Sequence, residues 1–121
     1  SAPFHCKMME PVTDVLKKEF DNTEIHDTEV PVYMNIDAQA ERDSKLIKDK
    51  FVSQAMSPVM WEQTIRNLHN DGVDTFIEIG PGQVLMKHVN KTLKDEAEYV
   101  SCCVEKIQDL DDLKEIMKGR E

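Results

Sequence analysis

Apolar residues recur at helical spacing in five stretches of the chain and fill three short runs between them. In the first stretch, Met8, Val12 and Phe20 share one helical face, a spacing that predicts an amphipathic helix. The other predicted helices carry the stripes Ile47, Phe51 and Ala55; Trp61, Ile65 and Leu68; Leu85, Val89 and Leu93; and Leu110, Leu113 and Met117. Asp43 or Ser44 is placed to cap the first of these. The apolar runs at residues 30–36, 75–79 and 99–104 are typical of buried strands. The predicted order is helix, strand, helix, helix, strand, helix, strand, helix.

The segment 57–93 carries the clearest boundary markers. Ser57 is placed to cap a helix through its hydroxyl, and Gly72 is free to end that helix in the left-handed conformation. A buried strand, a Gly-Pro-Gly bend at 80–82 and a second helix follow, which predicts parallel sheet with helical cover. Glu78 interrupts the strand near its carboxyl end, where ligands gather in such sheets. The plainer interpretation is an ion-paired or surface carboxylate.

The length of 121 residues fits a single domain. Three parallel strands make a small sheet whose margins need cover, so the pattern predicts a piece of a larger α/β domain. The same open margins predict that the chain associates with copies of itself.

Composition excludes several classes of function. Fifteen basic and 24 acidic residues give a net charge of -9, which argues against nucleic acid or an anionic membrane as the main partner. No apolar run approaches the roughly 20 residues of a membrane helix, and no secretory pattern is present, so we expect a cytoplasmic protein. Three cysteines without C-x-x-C spacing indicate neither a disulfide framework nor a zinc site.

Candidate chemistry is sparse when the residues are taken alone. None of the five serines lies between glycines as a nucleophile elbow requires. The four histidines lie on separate predicted elements without metal-ligand spacing. His5 and Cys6 are adjacent, but neighbouring side chains in an extended chain diverge, which disfavours a thiol–base pair. The Gly80-Pro81-Gly82 bend can offer backbone N–H groups to an anion, although such a bend is more often a tight turn.

Four blocks, in order, resemble the malonyl-CoA:acyl carrier protein transacylase family. They are APFHCKMMEPV at 2–12, PVYMNIDA at 31–38, FVSQAMSPVMWEQTI at 51–65 and FIEIGPGQVL at 76–85. The resemblance implies a three-layer, hydrolase-like α/β acyltransferase domain, of which residues 1–121 are the C-terminal segment. It also implies that the nucleophilic serine and the arginine that binds the substrate carboxylate lie upstream, so that the chain alone is inactive.

The resemblance assigns roles to individual residues. His5 matches the general base, and Gln54 matches the residue whose main-chain carbonyl accepts a hydrogen bond from the other imidazole nitrogen. Phe4 matches the aromatic residue that crowds an α-methyl group in malonyl-preferring enzymes, and Asn35, at the polar end of the strand predicted at 30–36, is the other expected substrate contact. No metal ligand is expected.

The implied reaction is ping-pong transfer of malonyl from CoA to the phosphopantetheine thiol of acyl carrier protein, in fatty acid biosynthesis, without a bound cofactor. The expected partners are the CoA thioester and acyl carrier protein. Because carrier proteins of this kind are acidic, docking requires a local basic patch, for which Lys87, Lys91 and Lys94 are candidates; an ordinary solvated stripe is the alternative.

Other interpretations remain open at this stage. A non-catalytic α/β binding module would also lack a nucleophile, and a transacylase domain of a polyketide-type synthase would share the same blocks. A hydrolase with a related serine-centred fold is less consistent, because such enzymes generally use a carboxylate partner for the histidine.

Overall fold

The computed structural model describes residues 4–96 and 98–119. Within these residues, a 3-10 turn at Lys7–Met9 is followed by five helices and four strands. In chain order these are α1 (Glu10–Asp21), β1 (Val32–Tyr33), β2 (Ala40–Glu41), α2 (Ser44–Gln54), α3 (Trp61–Asn70), β3 (Thr75–Ile79), α4 (Val84–Thr92), β4 (Val100–Val104) and α5 (Asp109–Lys118). The chain forms two compact units, Ser1–Asn67 and Leu68–Glu121.

In the first unit, helices α1 and α2 pack together through stacked aromatic rings. Phe20 and Phe51 lie with their ring centroids 5.6 Å apart and their planes at 10°. The buried core of this unit contains Met34, Ala38, Ile47, Thr64 and Ile65. The apolar stripe of α1 is only partly covered, because Val15 keeps 60% of its surface exposed.

The strand predicted at residues 30–36 is wrong in length and in pairing. Only Val32 and Tyr33 are extended in a ladder, and they pair antiparallel with Ala40 and Glu41. The chain turns at residues 35–37 because Ala38 adopts a left-handed conformation, with φ of 59°, and donates its N–H to the Met34 carbonyl at 2.8 Å. An apolar run of this length is therefore half of a short hairpin rather than a strand of the parallel sheet.

The start of α2 is confirmed and the start of α3 is not where the sequence places it. Asp43 caps α2, since its carboxylate accepts hydrogen bonds from the N–H groups of Lys45 and Leu46, both at 2.9 Å. Helix α3 begins at Trp61 instead of directly after Ser57. The Ser57 hydroxyl donates instead to the Ser53 carbonyl at 2.7 Å and so belongs to the end of α2.

Within the described residues, the parallel sheet has two strands and lies in the second unit. β3 and β4 pair with Ile77 opposite Cys102, and α4 connects the two strands in sequence. Gly72 precedes the sheet with φ of 92°, and the Val73 N–H bonds to the Leu68 carbonyl at 3.0 Å, which confirms the predicted glycine stop of α3.

Burial in this unit differs from the prediction at several positions. Ile79 is 79% exposed, so β3 is covered on the face of Phe76 and open on the other. Met86 is buried where Leu85 was expected to be, and Leu85 is 47% exposed. An apolar residue at helical spacing therefore does not by itself mark the covered face of a helix.

The mixed α/β architecture with a short parallel sheet agrees with the predicted fold class, although the sheet has two parallel strands instead of three. In the part of the chain that the structure describes, no helix has the length and apolar character needed to cross a membrane. Self-association of the chain stays a prediction.

Candidate active site

His5 and Gln54 meet in the first unit, although 49 positions separate them in the sequence. The His5 Nδ1 atom lies 3.0 Å from the main-chain oxygen of Gln54. A carbonyl oxygen can only accept, so Nδ1 carries the proton and the neutral ring presents an unprotonated Nε2. An imidazole held in this tautomer is able to accept a proton at Nε2.

The Gln54 carbonyl is available because helix α2 ends there. The last carbonyls of a helix have no intrahelical partner one full turn ahead, and they form the negative end of the helix dipole. The Ser57 N–H lies 3.2 Å from this oxygen, in a tightened last turn, and His5 takes the remaining lone pair. The helix end therefore orients the ring through Nδ1.

His5 itself sits in an unusual backbone conformation just ahead of the 3-10 turn. Its φ is 59°, in the left-handed region that few residues other than glycine adopt, and histidine is among those enriched there. The residue is exposed, and Cys6 begins the turn by accepting the Met9 N–H at 2.9 Å. Backbone strain of this kind is concentrated at functional sites.

The two expected substrate contacts lie in different settings. Phe4 is 65% exposed, so its ring is not part of the core of the described chain. Asn35 is half-buried in the 35–37 turn, and its main-chain oxygen accepts the Met60 N–H at 2.8 Å. The roles of His5, Gln54, Phe4 and Asn35 in a reaction stay predictions.

An ion cluster next to this turn was missed by sequence reasoning. The Lys50 Nζ atom on α2 lies 2.9 Å from Asp37 Oδ2 and 3.1 Å from Glu41 Oε2. The Lys50 side chain is 21% exposed and that of Glu41 15% exposed. The sequence offered one signal for this cluster. Lys50 lies between Ile47 and Phe51 of the apolar stripe of α2, where a fully solvated lysine is not expected.

The cluster shifts the pKa of each of its members. Burial acts to lower the pKa of Lys50, but hydrogen bonds to Asp37 and Glu41 outweigh it and raise that pKa above the ordinary value. Burial acts to raise the pKa of Asp37, and the bonds from Lys50 and Gln39 outweigh it, so that pKa is lowered. The bond from Lys50, followed by those from backbone N–H groups, lowers the pKa of Glu41.

Glu78, on β3 in the second unit, caps the start of helix α4 with its side chain. Its carboxylate accepts the N–H of Leu85 at 3.1 Å and the N–H of Met86 at 2.8 Å. The backbone donors at the start of α4 are thus partly satisfied by a side chain of the protein, which weakens the case for an external anion after the Gly-Pro-Gly bend.

Glu78 also lies 3.9 Å from Cys103 Sγ. Burial, and then this carboxylate, raise the pKa of the Cys103 thiol.

Three other features of the described residues bear on the chemistry. Ser53 and Ser57, the serines nearest Gln54 in sequence, donate their hydroxyls to the carbonyls of Asp49 and Ser53 rather than to His5. Among residues 4–96 and 98–119, no group of three or more His, Cys, Asp or Glu side chains could hold a metal ion. A cavity of about 610 Å³ in the second unit, lined in part by Asn90, Cys103 and Asp112, contains none of the four predicted site residues.

Comparisons by sequence and by structure find relatives that are malonyl transacylases. The chain is 44% identical over 97 residues to the malonyl CoA-acyl carrier protein transacylase of Bacillus subtilis, an alignment that covers 78% of this chain and 31% of that protein. It is similar in structure to the corresponding transacylase of Clostridium perfringens, with a TM-score of 0.88, 32% identity, and coverage of 98% of this chain and 37% of that one. A third relative, a malonyl-transacylase solved in complex with a type II polyketide acyl carrier protein, has a TM-score of 0.88 and 28% identity, covering 96% of this chain and 37% of that one.

The share of each relative that is matched is limited. The chain spans about a third of the length of the curated relatives. No protein-family model matches the chain.

Proposed function

Because the chain belongs to the malonyl-CoA:acyl carrier protein transacylase family and matches its C-terminal portion, we propose that it supplies the general base of a malonyl transfer reaction. The observation that supports this proposal is the 3.0 Å contact between His5 Nδ1 and the Gln54 main-chain oxygen. This contact orients an imidazole as a base without adding a carboxylate charge.

In the proposed reaction, His5 Nε2 takes the proton from a serine hydroxyl while the serine oxygen attacks the thioester carbonyl of malonyl-CoA. The tetrahedral intermediate collapses, the carbon–sulfur bond breaks, and the departing CoA sulfur takes the proton back from the imidazolium. The phosphopantetheine thiol of acyl carrier protein then gives its proton to Nε2, and its sulfur attacks the carbonyl of the acyl-serine. The carbon–oxygen bond to serine breaks, the serine oxygen takes the proton back from the imidazolium, and malonyl is left on the carrier protein as a thioester. The side chains suffice for this chemistry, so the proposal includes no metal or bound cofactor.

The nucleophilic serine belongs, in this proposal, to a part of the protein outside these 121 residues. The five serines of the chain include none between two glycines, and Ser53 and Ser57 are bonded to helix carbonyls. Phe4 and Asn35 are the proposed contacts to the malonyl group. The proposed setting is fatty acid biosynthesis in the cytoplasm.

The test is transfer of radiolabelled malonyl from CoA to acyl carrier protein by the full-length protein that contains this chain. We expect a burst of label on the enzyme, followed by transfer to the carrier protein. The 121-residue chain alone should do neither, and label transfer by the isolated chain would contradict the placement of the serine. A full-length protein that never acquires label would contradict the transacylase assignment itself.

Acyl carrier protein is the proposed second substrate, and α4 offers cations for it. Lys87 and Lys91 are exposed and one helical turn apart on α4. Lys94 lies beyond the end of that helix and is 3.6 Å from Asp95, which makes it the weakest of the three candidates. The solved complex of a related transacylase with its carrier protein supports the class of partner.

This docking proposal is tested by charge reversal. Lys87→Glu combined with Lys91→Glu should raise the KM for acyl carrier protein and leave the KM for malonyl-CoA unchanged. Lys114→Glu is the control, since Lys114 is an exposed lysine on α5 that pairs with Asp111 at 3.0 Å. An unchanged KM for the carrier protein in the double variant would remove α4 from the docking surface.

A further inference from the structure

The side chain of Lys50 connects two parts of the candidate site. Lys50 and Gln54 are four residues apart and therefore lie on the same side of α2. Lys50 reaches from that helix to Asp37 at 2.9 Å and to Glu41 at 3.1 Å. Asp37 belongs to the same turn as Asn35.

The turn that Lys50 reaches is also held from two other directions. The Asn35 carbonyl accepts the Met60 N–H at 2.8 Å, from the segment that follows α2. The Ala38 carbonyl accepts the Asn67 Nδ2 group of α3 at 2.8 Å. The Lys50–Asp37 contact also connects this turn to helix α2, whose last residue, Gln54, bonds His5 through its carbonyl.

We infer that Lys50 is a positioning residue, which fixes the turn carrying Asn35 relative to the helix end that holds His5. The inference rests on the proposed function, because it is Asn35 and His5 that the turn and the helix would present to substrate.

Burial makes this connection stiffer than an exposed ion pair. An exposed pair is worth little, since solvent screens it and two long side chains must be ordered to form it. The side chains of Lys50, Asp37 and Glu41 are instead 21%, 38% and 15% exposed, and removing the ammonium would leave Asp37 and Glu41 without their shared counterion. The turn would then gain freedom, while the bond between His5 and the Gln54 main chain would remain.

This arrangement predicts a specific kinetic signature for Lys50→Met in the full-length protein. Misplacement of a substrate-binding turn should raise the KM for malonyl-CoA by about 10-fold to 100-fold, with kcat changed by less than about threefold. Lys50→Arg should restore the KM to within about threefold of the wild-type value, because a guanidinium can bond both carboxylates. Lys17→Met is the matched control, since Lys17 pairs with Asp21 at 3.4 Å on α1 and both side chains are more than 60% exposed.

Amide hydrogen exchange supplies a readout that does not depend on activity. The N–H groups of Ala38 and Met60, which bond to Met34 and Asn35, should exchange at least about tenfold faster in Lys50→Met and at the wild-type rate in Lys17→Met. If Lys50→Met does not fold, Asp37→Asn weakens the same connection and should raise the KM in the same direction.

The outcomes separate the two proposals. A folded Lys50→Met or Asp37→Asn variant with a wild-type KM overturns the positioning role, as does a fall in kcat at constant KM. A wild-type protein that transfers no malonyl overturns the proposed function, and amide exchange then decides alone whether Lys50 fixes the turn.

Discussion

The contact between His5 and Gln54 predicts that the side chain of Gln54 matters little to catalysis. His5 bonds the main-chain oxygen, which every residue type carries, at 3.0 Å. Alanine is the best helix former, and its propensity differs from that of glutamine by a few tenths of a kcal/mol, so α2 should keep its last turn. In the full-length protein, Gln54→Ala should therefore transfer malonyl at a rate within about threefold of the wild type.

Removal of the base should have a far larger effect. His5→Asn deletes the imidazole and suits the left-handed backbone at this position, because asparagine tolerates a φ of 59° better than alanine does. Loss of general-base catalysis should slow acylation by about 10² to 10⁴, which corresponds to about 3 to 5 kcal/mol of barrier.

The orientation of the carbonyl can be changed one residue downstream. Ala55 has φ of -56°, which proline also adopts, and its N–H makes a long 3.4 Å bond to the Val52 carbonyl, with the Ser53 carbonyl as a second acceptor. Proline at 55 disfavours the helical conformation of the preceding residue and should turn the Gln54 carbonyl away from His5. A hydrogen bond to a charged group is worth about 1.5 to 3 kcal/mol, so Ala55→Pro should slow acylation by about 10-fold to 150-fold.

The assay is the burst of radiolabelled malonyl on the enzyme, with circular dichroism to confirm that each variant is folded. The expected ranking is wild type and Gln54→Ala together, then Ala55→Pro, then His5→Asn. A Gln54→Ala variant as slow as His5→Asn would show that the side-chain amide is the functional group. A folded Ala55→Pro variant with a normal burst would refute the orienting role of the carbonyl.

Three further predictions concern stability and reactivity. Asp43→Ala removes the acceptor of two N–H groups at the start of α2 and should lower the free energy of unfolding by about 1 kcal/mol in denaturant titration, whereas Asp49→Ala, in the helix interior, should change it little. In the same titration, Gly72→Ala should lower the free energy of unfolding by about 1 to 2 kcal/mol, because the φ of Gly72 is 92°; an added Cβ would meet no crowding there. Gly119→Ala, at a φ of -78°, is the control and should be nearly neutral, so equal effects of the two substitutions would contradict the conformational argument. Because burial raises the pKa of the Cys103 thiol, the rate of its alkylation by iodoacetamide, followed by tandem mass spectrometry, should rise with pH at a higher midpoint than the rate for glutathione. A midpoint at or below that of glutathione would contradict the burial of this thiol.

Local chemistry in the sequence determined the element boundaries that depend on adjacent residues. Asp43 caps α2 and Gly72 ends α3 because a capping carboxylate and a glycine with positive φ act on N–H and C=O groups a few residues away. The strand at Thr75–Ile79 was predicted with its observed bounds, since the turn markers on both sides are strong. The choice of His5 and Gln54 came from the resemblance of sequence blocks and not from spacing.

Only the tertiary structure decided which groups meet across long separations. Periodicity could not show that residues 30–36 form only the first strand of a short hairpin and part of its turn, because an apolar run fits a buried strand and a covered turn equally well. It could not show that Lys50 is enclosed by Asp37 and Glu41, or that Glu78 caps α4, since a charged side chain looks alike in sequence whether water or a partner satisfies it. The contact that joins His5 to a backbone oxygen 49 positions away depends on where α2 ends in space, which no local pattern encodes.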